Sequence, residues 1–474
     1  MGQERTKLGL IGLIAIVVGG VIGGGIFNIS KILAEGASLG AILISLGISG
    51  IGILGIALTF TTLNTVRPEL SRGIYRYSRT GFGEYAGFNI AWGYWIGAAL
   101  GNVVFSVMLN DAFGLFFPVL LKHSWPTLIL SSCFTWFFAW VVSRGLKVAT
   151  AINTVSTIVK FSSLLLIIIL LFSFADYRLL DIDFWGKESH MGPLSKQIDS
   201  TMLTTLFFFM GVEGAIIVAA RAKYPEEVGK ATIIGYLICL FLNIIVCVLS
   251  FGFVTQSEMI HLNDPALAQV LEKGVGDWAR IFVNVSVIIA VAGAWLVSTI
   301  IASELPASAA EDGVLPHFFA QRNKQGTPVG ALLITTCFIQ IALFLVSQVH
   351  NVYIFSVDLS GIMILPTYIL SAMFLIKLGL KKHIYADRPV LRQVAIITGT
   401  FTTFYCLWVI YAGNARLLLL SSGVYLIGIF FYHLAYRQNE MSRKKLYTVM
   451  DRYLIGLMVA ALAFSLLSEW KIIK

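Results

Sequence analysis

The chain has 474 residues, of which 57% are apolar and only 12% are charged. A soluble domain carries roughly 25% charged residues, so this composition leaves too little polar surface to cover a water-soluble protein of this size. Low charge and only five cysteines also exclude a coiled coil, a disordered chain and a secreted disulfide scaffold. The sequence therefore predicts a polytopic membrane protein.

The net charge of +9 comes from lysines and arginines in the short segments that connect apolar runs. A nucleic-acid-binding protein would collect such cations on one face, whereas this distribution is typical of membrane topology. The histidines are scattered and no cysteines form a C-x-x-C motif, so the sequence predicts neither a metal nor a redox cofactor. The cysteines, all within apolar runs, are Cys133, Cys239, Cys247, Cys337 and Cys406.

A membrane-spanning helix requires about 20 consecutive, mostly apolar residues. Twelve segments meet this requirement, and a shorter apolar segment at 453–468 is a candidate thirteenth span. We therefore predict an all-α protein with twelve or thirteen spans in a single membrane domain covering residues 1–474. The twelve segments are approximately 8–33, 41–65, 85–119, 126–143, 148–173, 200–220, 230–254, 280–305, 329–348, 352–376, 393–412 and 415–436.

Counts of lysine and arginine in alternate connecting segments predict the orientation. The side that holds the N-terminus carries 23 of the 34 cationic residues, the opposite side carries 10, and Lys160 lies inside the fifth span. We therefore expect a cytoplasmic N-terminus in the cell (inner) membrane. Twelve spans would return the chain to the cytoplasm, and thirteen would end it outside. The longest segments outside the membrane, about 174–199 and 255–279, can each hold a short surface helix.

The first span is rich in glycine at its centre. Five glycines lie between positions 19 and 25, and each costs about 1 kcal/mol relative to alanine inside a helix. This pattern predicts an unwound stretch in the middle of the membrane. The alternative is close helix packing, which small residues also allow.

The sixth span contains a second candidate break, where Gly211 and Gly214 flank Glu213. An ionisable residue inside a membrane is costly and therefore indicates a functional site. The alternative interpretation is a structural carboxylate that is hydrogen-bonded to a neighbouring helix.

Breaks in the first and sixth spans predict a transporter built from two inverted repeats of five spans each, about 8–173 and 200–376. The helices at about 393–436 and the candidate at 453–468 would be additions to this core. The ends of a broken helix offer free N–H groups to an anion and free carbonyl groups to a cation. A zwitterionic amino acid requires both kinds of group at once.

Five separated segments carry a family signature: GGVIGGGIFNIS, RPELSRGIYRYSRTGFGEYAGF, GYWIGAALGN, GVEGAIIVAA and EDGVLPHFFAQRNKQGTPV. Together they resemble the amino acid–polyamine–organocation (APC) transporters, and most closely the basic amino acid/polyamine antiporter branch. The resemblance covers about residues 7–436. It implies a LeuT-type fold that holds its substrate between helices one, three, six, eight and ten.

The resemblance also implies roles for individual residues. Backbone N–H groups of the first span would bind the substrate carboxylate, carbonyl groups around Gly211 would receive its amino group, and Phe207 would cover the bound molecule. Met210 and Glu213 would lie beside these groups on the sixth span. The implied carboxylate-binding residues are Gly23, Gly24, Gly25 and Ile26, and the implied wall on the third span is Tyr94, Gly97, Ala98 and Asn102.

The eighth span departs from the pattern of this branch. Related exchangers have a motif similar to GAWLSWT whose second tryptophan lines the site, whereas this chain reads GAWLVST. Trp295 is retained, either as a site residue or as a packing residue, and Ser298 replaces the second tryptophan. This difference argues against strict arginine/agmatine specificity.

Lys160 is the one cationic residue that lies inside a span. In sodium-coupled proteins of this fold, a sodium ion lies between helices one and eight close to helix five. The resemblance therefore implies that the Lys160 ammonium replaces that ion, and we expect transport to be independent of sodium. The alternative is a lysine side chain that extends to the membrane surface.

Acidic residues within spans favour a cationic substrate over glutamate. Glu213 and Asp358 of the tenth span are the main candidates for contact with substrate, followed by Asp111 and Glu304. The alternatives place Asp358 near the outer end of its span, Asp111 in buried structure and Glu304 at the cytoplasmic gate.

We therefore expect a secondary transporter that exchanges a cationic amino acid for a related amino acid or for its decarboxylation-product amine. Arginine/ornithine is the favoured pair, with lysine/cadaverine, histidine/histamine and agmatine/putrescine as alternatives. A proton-coupled symporter or a uniporter is the rival within this fold. No H-E-x-x-H motif of an intramembrane metalloenzyme is present, and a channel would not need paired broken helices. The expected partners are the lipid bilayer and a small molecule, and the sequence does not decide between monomer and homodimer.

Overall fold

The computed structural model describes residues 9–70, 73–122, 125–214, 222–347, 352–413, 415–438 and 446–473. Within these ranges the regular secondary structure is helical and no β-strand forms. In chain order the α-helices are α1 (Leu10–Val21), α2 (Ile29–Ala34), α3 (Leu39–Val66), α4 (Tyr75–Phe82), α5 (Glu84–Gly114), α6 (Trp125–Ser143), α7 (Leu146–Phe174), α8 (Leu194–Phe208), α9 (Pro225–Ser250), α10 (Gln256–Met259), α11 (Ala266–Val275), α12 (Asp277–Glu311), α13 (Val329–Val346), α14 (Val352–Leu380), α15 (Pro389–Ala412), α16 (Ala415–Gln438) and α17 (Val449–Ile473).

Nine helices of the described chain are long and apolar enough to cross a membrane: α3, α5, α6, α7, α9, α12, α14, α15 and α16. They confirm the predicted all-α polytopic membrane architecture. Three further predicted spans have physical reasons to be shorter. The first and sixth are interrupted, and the ninth corresponds to α13, which has only 18 residues.

The first span is broken where its glycines lie. Helix α1 ends at Val21, a single 3-10 turn covers Gly25–Phe27, and α2 begins at Ile29. Glycine lowers the stability of a regular helix because it retains the most backbone freedom. The predicted unwound stretch is therefore present.

The sixth span is also interrupted at its predicted position. Helix α8 ends at Phe208, and the chain turns through Phe209–Glu213. The turn is closed by a 2.8 Å hydrogen bond from the N–H of Gly214 to the carbonyl of Gly211. Residues 215–220 of the predicted span lie outside the described residues.

Helix α5 occupies the centre of the bundle, where it packs along both α12 and α14. Helices α7 and α1 lie on one side of this group, with α7 against α12 and α1 against α9, and α15 covers α14. Large apolar side chains such as Phe172, Phe404 and Phe430 are exposed on the outside of the bundle. An exposed apolar surface of this kind fits a protein that is surrounded by lipid.

The predicted surface segment 255–279 holds two short helices, α10 and α11, that pack against α2. Gln256 Nε2 donates to the carbonyl of Ala34 at 3.0 Å, and Lys31 Nζ lies 2.9 Å from the Asp264 carboxylate. A hydrogen bond and an ion pair therefore hold the outer half of the broken first span against this segment.

Residues 453–468, the candidate thirteenth span, lie within α17, which runs antiparallel to α16. The Tyr432 hydroxyl donates to the carbonyl of Leu446 at 2.9 Å. Further along the pair, a Cβ atom on Gly423 would lie 3.3 Å from Leu462. Helix α17 has 25 residues, which corresponds to a length of about 37 Å.

Candidate functional site

The two helix breaks meet at Gly20 and Gly211. Gly211 has a φ of +99°, a backbone conformation that glycine adopts without steric cost. A Cβ atom on Gly211 would lie 3.2 Å from the carbonyl carbon of Gly20. These glycines therefore allow the backbone of the sixth span to lie directly against that of the first.

Three consecutive backbone donors are free at the break of the first span. The N–H groups of Gly24, Gly25 and Ile26 donate to no acceptor among the described residues. A free N–H group in an apolar interior is costly, so this stretch is suited to a carboxylate. Gly23 differs from the expectation because its N–H donates to the carbonyl of Val21 at 2.9 Å.

Apolar side chains from three helices surround these donors. A Cβ atom on Gly25 would lie 2.7 Å from the ring of Phe208, and one on Gly24 would lie 2.6 Å from Met108 Cε. Val291 also contacts the Gly24 position, and Phe105 lies 3.3 Å from the Cβ position of Gly23. Sequence reasoning missed Phe105, Met108, Phe208 and Val291 because apolar residues in apolar spans give no signal of their own.

Free carbonyl groups accompany the break of the sixth span. The carbonyl oxygens of Phe208, Phe209 and Met210 accept no hydrogen bond from any described residue, whereas that of Gly211 accepts from Gly214. The side chains of Phe207 and Met210 are both half-buried here. Carbonyl oxygens of this kind are suited to an ammonium group.

Glu213 is the last residue of this turn and is only 1% exposed. Its carboxylate accepts a 2.7 Å hydrogen bond from the Tyr94 hydroxyl on α5 and a 3.2 Å bond from the Tyr368 hydroxyl on α14. No described lysine, arginine or histidine pairs with it. Tyr368 was not predicted, although a tyrosine in the middle of an apolar span needs a hydrogen-bond partner for its hydroxyl.

The other predicted residues of the third span have local partners. A Cβ atom on Gly97 would lie 2.6 Å from Ile364, and the Gly97 carbonyl accepts a 2.7 Å bond from Ser360. Gly97 therefore allows α5 and α14 to pack closely. Asn102 is buried and donates to the carbonyl of half-buried Ala98 at 3.1 Å.

The two candidates of the eighth span differ in position. Trp295 packs on α6, with its ring centroid 5.3 Å from that of Phe138. Ser298 is half-buried one helical turn beyond Ala294, whose Cβ lies 3.9 Å from the Cβ position of Gly23. Because residues four apart share a helix face, Ser298 lies on the face of α12 that borders the first break.

Lys160 is directed into the break of the first span. Its Nζ donates to the carbonyl of Gly19 at 2.9 Å and also to the carbonyl of Ile22, and the residue is 2% exposed. Close by, Ser156 Oγ donates to the carbonyl of Ile289 on α12 at 2.7 Å. The ammonium is thus held at the broken helix, and the side chain does not extend to the membrane surface.

Asp358 lies in a separate cleft of about 290 Å³. It is ten residues from Tyr368 on the same helix, so it lies about 15 Å along α14 from the Glu213 site. Asp199 of α8 lines the same cleft, together with Ser200, Leu203, Ala412 and Gly413.

The two remaining acidic candidates lie away from the helix breaks. Glu304 forms a 3.0 Å ion pair with Arg322. Asp111 is buried on α5 near the ion pair of Lys31 and Asp264. Glu213 is consequently the one predicted acidic residue that the described structure places directly beside the two breaks.

One family model and three relatives of known name match this chain over most of its length. A family model described as an amino acid permease matches residues 8–465. The arginine/agmatine antiporter of Chlamydia caviae is 38% identical over 481 residues, covering 99% of each chain. That of Chlamydia pneumoniae is 39% identical over 440 residues, covering 90% of this chain and 91% of the relative. A putative amino-acid transporter of Clostridium perfringens is 37% identical over 472 residues, covering 97% and 98%.

These matches span nearly the whole chain. They confirm the resemblance drawn from the five sequence segments. The protein is therefore a transporter and not an enzyme, and it belongs to the amino acid permease family of the APC superfamily.

Proposed function

We propose that this protein exchanges an external cationic amino acid for an internal related amino acid or decarboxylation-product amine. The observation that carries the proposal is Glu213, a fully buried carboxylate with two phenol donors and no cationic partner among the described residues. A buried charge needs a counter-charge, and a cationic substrate supplies one. Two relatives that match almost end to end are named arginine/agmatine antiporters.

The substrate binds where the two breaks meet. Its carboxylate is received by the N–H groups of Gly24, Gly25 and Ile26, and its ammonium by carbonyl groups of the turn after Phe208. Both sets of groups are free of described partners. Half-buried Phe207 covers the bound molecule.

The fold that we propose for this exchange is the LeuT type, with inverted repeats at about 8–173 and 200–376. Its support is the position of the two breaks, which fall at the first helix of each proposed repeat and lie in backbone contact at Gly20 and Gly211. Alternating access then follows from movement of the broken helices against α5, α12 and α14.

Arginine is the external substrate that we propose to test first, because the named relatives exchange it. The identity of the internal substrate that is exchanged for arginine is less well defined. Ser298 is smaller than the tryptophan of the related motif and borders the first break, which gives room for substrates other than agmatine. Ornithine is our preferred partner, and lysine/cadaverine, histidine/histamine and agmatine/putrescine define the comparison panel.

We also propose that Lys160 takes the place of a coupling sodium ion. Its ammonium donates hydrogen bonds to two carbonyl groups of the broken first span, those of Gly19 and Ile22.

We propose an orientation that follows the excess of cationic residues on one side of the membrane. In this orientation the N-terminus is cytoplasmic in the cell (inner) membrane. Asp199 and Asp358 then line a cleft on the outer side.

Counterflow in proteoliposomes tests the proposal. Vesicles preloaded with unlabelled arginine, ornithine, agmatine or lysine should take up labelled external arginine, and empty vesicles should not. Uptake by empty vesicles at the same rate would support a uniporter. Accumulation in empty vesicles that is abolished by collapsing an imposed proton gradient would support a proton-coupled symporter.

A further inference from the structure

The connection between α14 and α15 carries a cluster of exposed cations. Lys381, Lys382 and Arg388 are all exposed, and none of them forms an ion pair with a described residue. His383 is exposed beside them, and Asp387 is the single acidic residue of this segment. In the proposed orientation this connection lies on the cytoplasmic side.

Three arginines elsewhere on this side of the bundle bind carboxylates. Arg76 binds the Asp312 carboxylate through two nitrogen atoms, and Arg79 binds Glu84 at 2.6 Å. Arg322 pairs with Glu304 at 3.0 Å. These three arginines have protein counter-charges, whereas Lys381, Lys382 and Arg388 have none among the described residues.

These cations are presented by an ordered turn. A 3-10 turn covers Lys382–Tyr385, and the Tyr385 side chain, only 3% exposed, anchors it to the protein. The N–H of Arg388 donates to the carbonyl of Tyr385 at 3.0 Å, and Arg392 Nε donates to the carbonyl of Gly379 at 2.8 Å. The backbone that carries these cations is thus fixed relative to both helix ends.

Exposed apolar side chains flank the turn on both sides. Leu380, the last residue of α14, is 66% exposed, and Val390 at the start of α15 is 72% exposed. Both helices are long and apolar enough to cross a membrane, and in the proposed orientation these side chains lie at its cytoplasmic end. Cations that adjoin exposed apolar residues at this depth fit a phosphate headgroup with its acyl chains alongside.

We propose that the turn at 381–388 binds the headgroup of an anionic phospholipid in the cytoplasmic leaflet. Positive charge without protein counter-charges selects an anion, and the apolar flanks select a lipid over a soluble acidic protein. The proposal does not depend on which substrate is exchanged, because it rests only on the orientation of the helices.

The test compares two triple variants with equal changes of charge. The first combines Lys381→Gln, Lys382→Gln and Arg388→Gln. The control combines Arg178→Gln, Lys187→Gln and Lys196→Gln, which are exposed and free of ion pairs with described residues and lie on the opposite side. A double variant, Lys381→Gln with Lys382→Gln, replaces the first if the triple variant does not elute as a folded protein.

Two measurements are made on each protein in detergent. The first is the rise in Tm when phosphatidylglycerol is added instead of phosphatidylcholine. The second is the amount of phosphatidylglycerol that stays bound in native mass spectrometry. Wild type and control should show both effects, and the cytoplasmic variant should lose more than half of each. Equal effects in all three proteins would overturn the proposal, as would an equal loss in the control. The proposal would also be overturned if inorganic phosphate or a polyglutamate peptide raised Tm as much as phosphatidylglycerol does.

Discussion

The hydroxyl of Tyr94 on α5 donates a 2.7 Å hydrogen bond to the carboxylate of Glu213, the last residue of the turn after α8. This bond joins the centre of the bundle to the broken sixth span. The described side-chain donors to this carboxylate are neutral, so in the proposed function a proton or a cationic substrate provides its counter-charge. We therefore expect proton occupancy and substrate occupancy of this site to be linked.

Replacing Glu213 with glutamine should lower exchange about tenfold to a hundredfold, since loss of a buried charged contact costs about 1.5–3 kcal/mol. The same variant should lose most of the pH dependence of transport, because glutamine does not titrate. Glu213→Asp should retain part of both properties. Initial exchange rates from acid to neutral pH, at matched protein levels, provide the measurement.

Tyr368→Phe is the matched control for this prediction. It removes the 3.2 Å hydrogen bond to Glu213 but keeps the carboxylate, so it should lower the rate less and preserve the shape of the pH profile. If Glu213→Gln transports like wild type at every pH, the carboxylate is structural and the substrate contact on the sixth span lies elsewhere.

Gly25→Ala should strongly reduce exchange because its new methyl group would lie 2.7 Å from the ring of Phe208. Overpacking of this kind typically costs about 1–3 kcal/mol. Because Phe208→Ala removes the clash, it should lower Tm less in the Gly25→Ala background than in the wild-type background. Gly47→Ala, which meets no atom within 4 Å, should be neutral. A Gly25→Ala protein with wild-type exchange would show that Phe208 moves away freely.

Replacing sodium with choline should leave the exchange rate unchanged, since Lys160 already supplies a cation to the carbonyl groups of Gly19 and Ile22. Lys160→Ala leaves these buried acceptors without their donor, which costs about 1–3 kcal/mol, and should lower both Tm and exchange. Lys196→Ala, at an exposed position, is the control. A strict sodium requirement of the wild-type protein would contradict the proposed role.

The glycine breaks were predictable because glycine has a direct backbone cost in a helix, and this cost is visible in one sequence. The direction in which each side chain points could not be predicted from the sequence. Gly97 is compatible with a cavity wall or with close packing, and only the position of Ile364 reveals that it is packed. Likewise, the ring of Phe138 on α6 determines where Trp295 points, and sequence spacing does not record which helix lies opposite.

Asp358 lines a cleft on the proposed outer side, so we expect its charge to attract a cationic substrate as it enters. Asp358→Asn should therefore raise KM for a cationic amino acid about two- to fivefold, the range expected from an interaction of about 0.5–1 kcal/mol at a partly exposed site. The maximal rate should change little, because Asp358 lies about 15 Å along α14 from the Glu213 site. The increase should shrink in high salt, which screens exposed charges. Glu188→Gln, at an exposed position between α7 and α8, should leave KM unchanged, and an unaltered KM in Asp358→Asn would contradict a role in substrate entry.

Helix α17 should cross the membrane, so that a reporter fused after it lies outside the cell. Its contacts with α16 run antiparallel from Tyr432 and Leu446 to Gly423 and Leu462. Its length of about 37 Å exceeds the hydrocarbon thickness of about 30 Å. Alkaline phosphatase fused after residue 474 should be active, whereas the same enzyme fused after Gln438 should be inactive, with a cytoplasmic fluorescent reporter giving the reverse pattern. Inactivity at both positions would instead place α17 along the cytoplasmic surface and leave twelve spans.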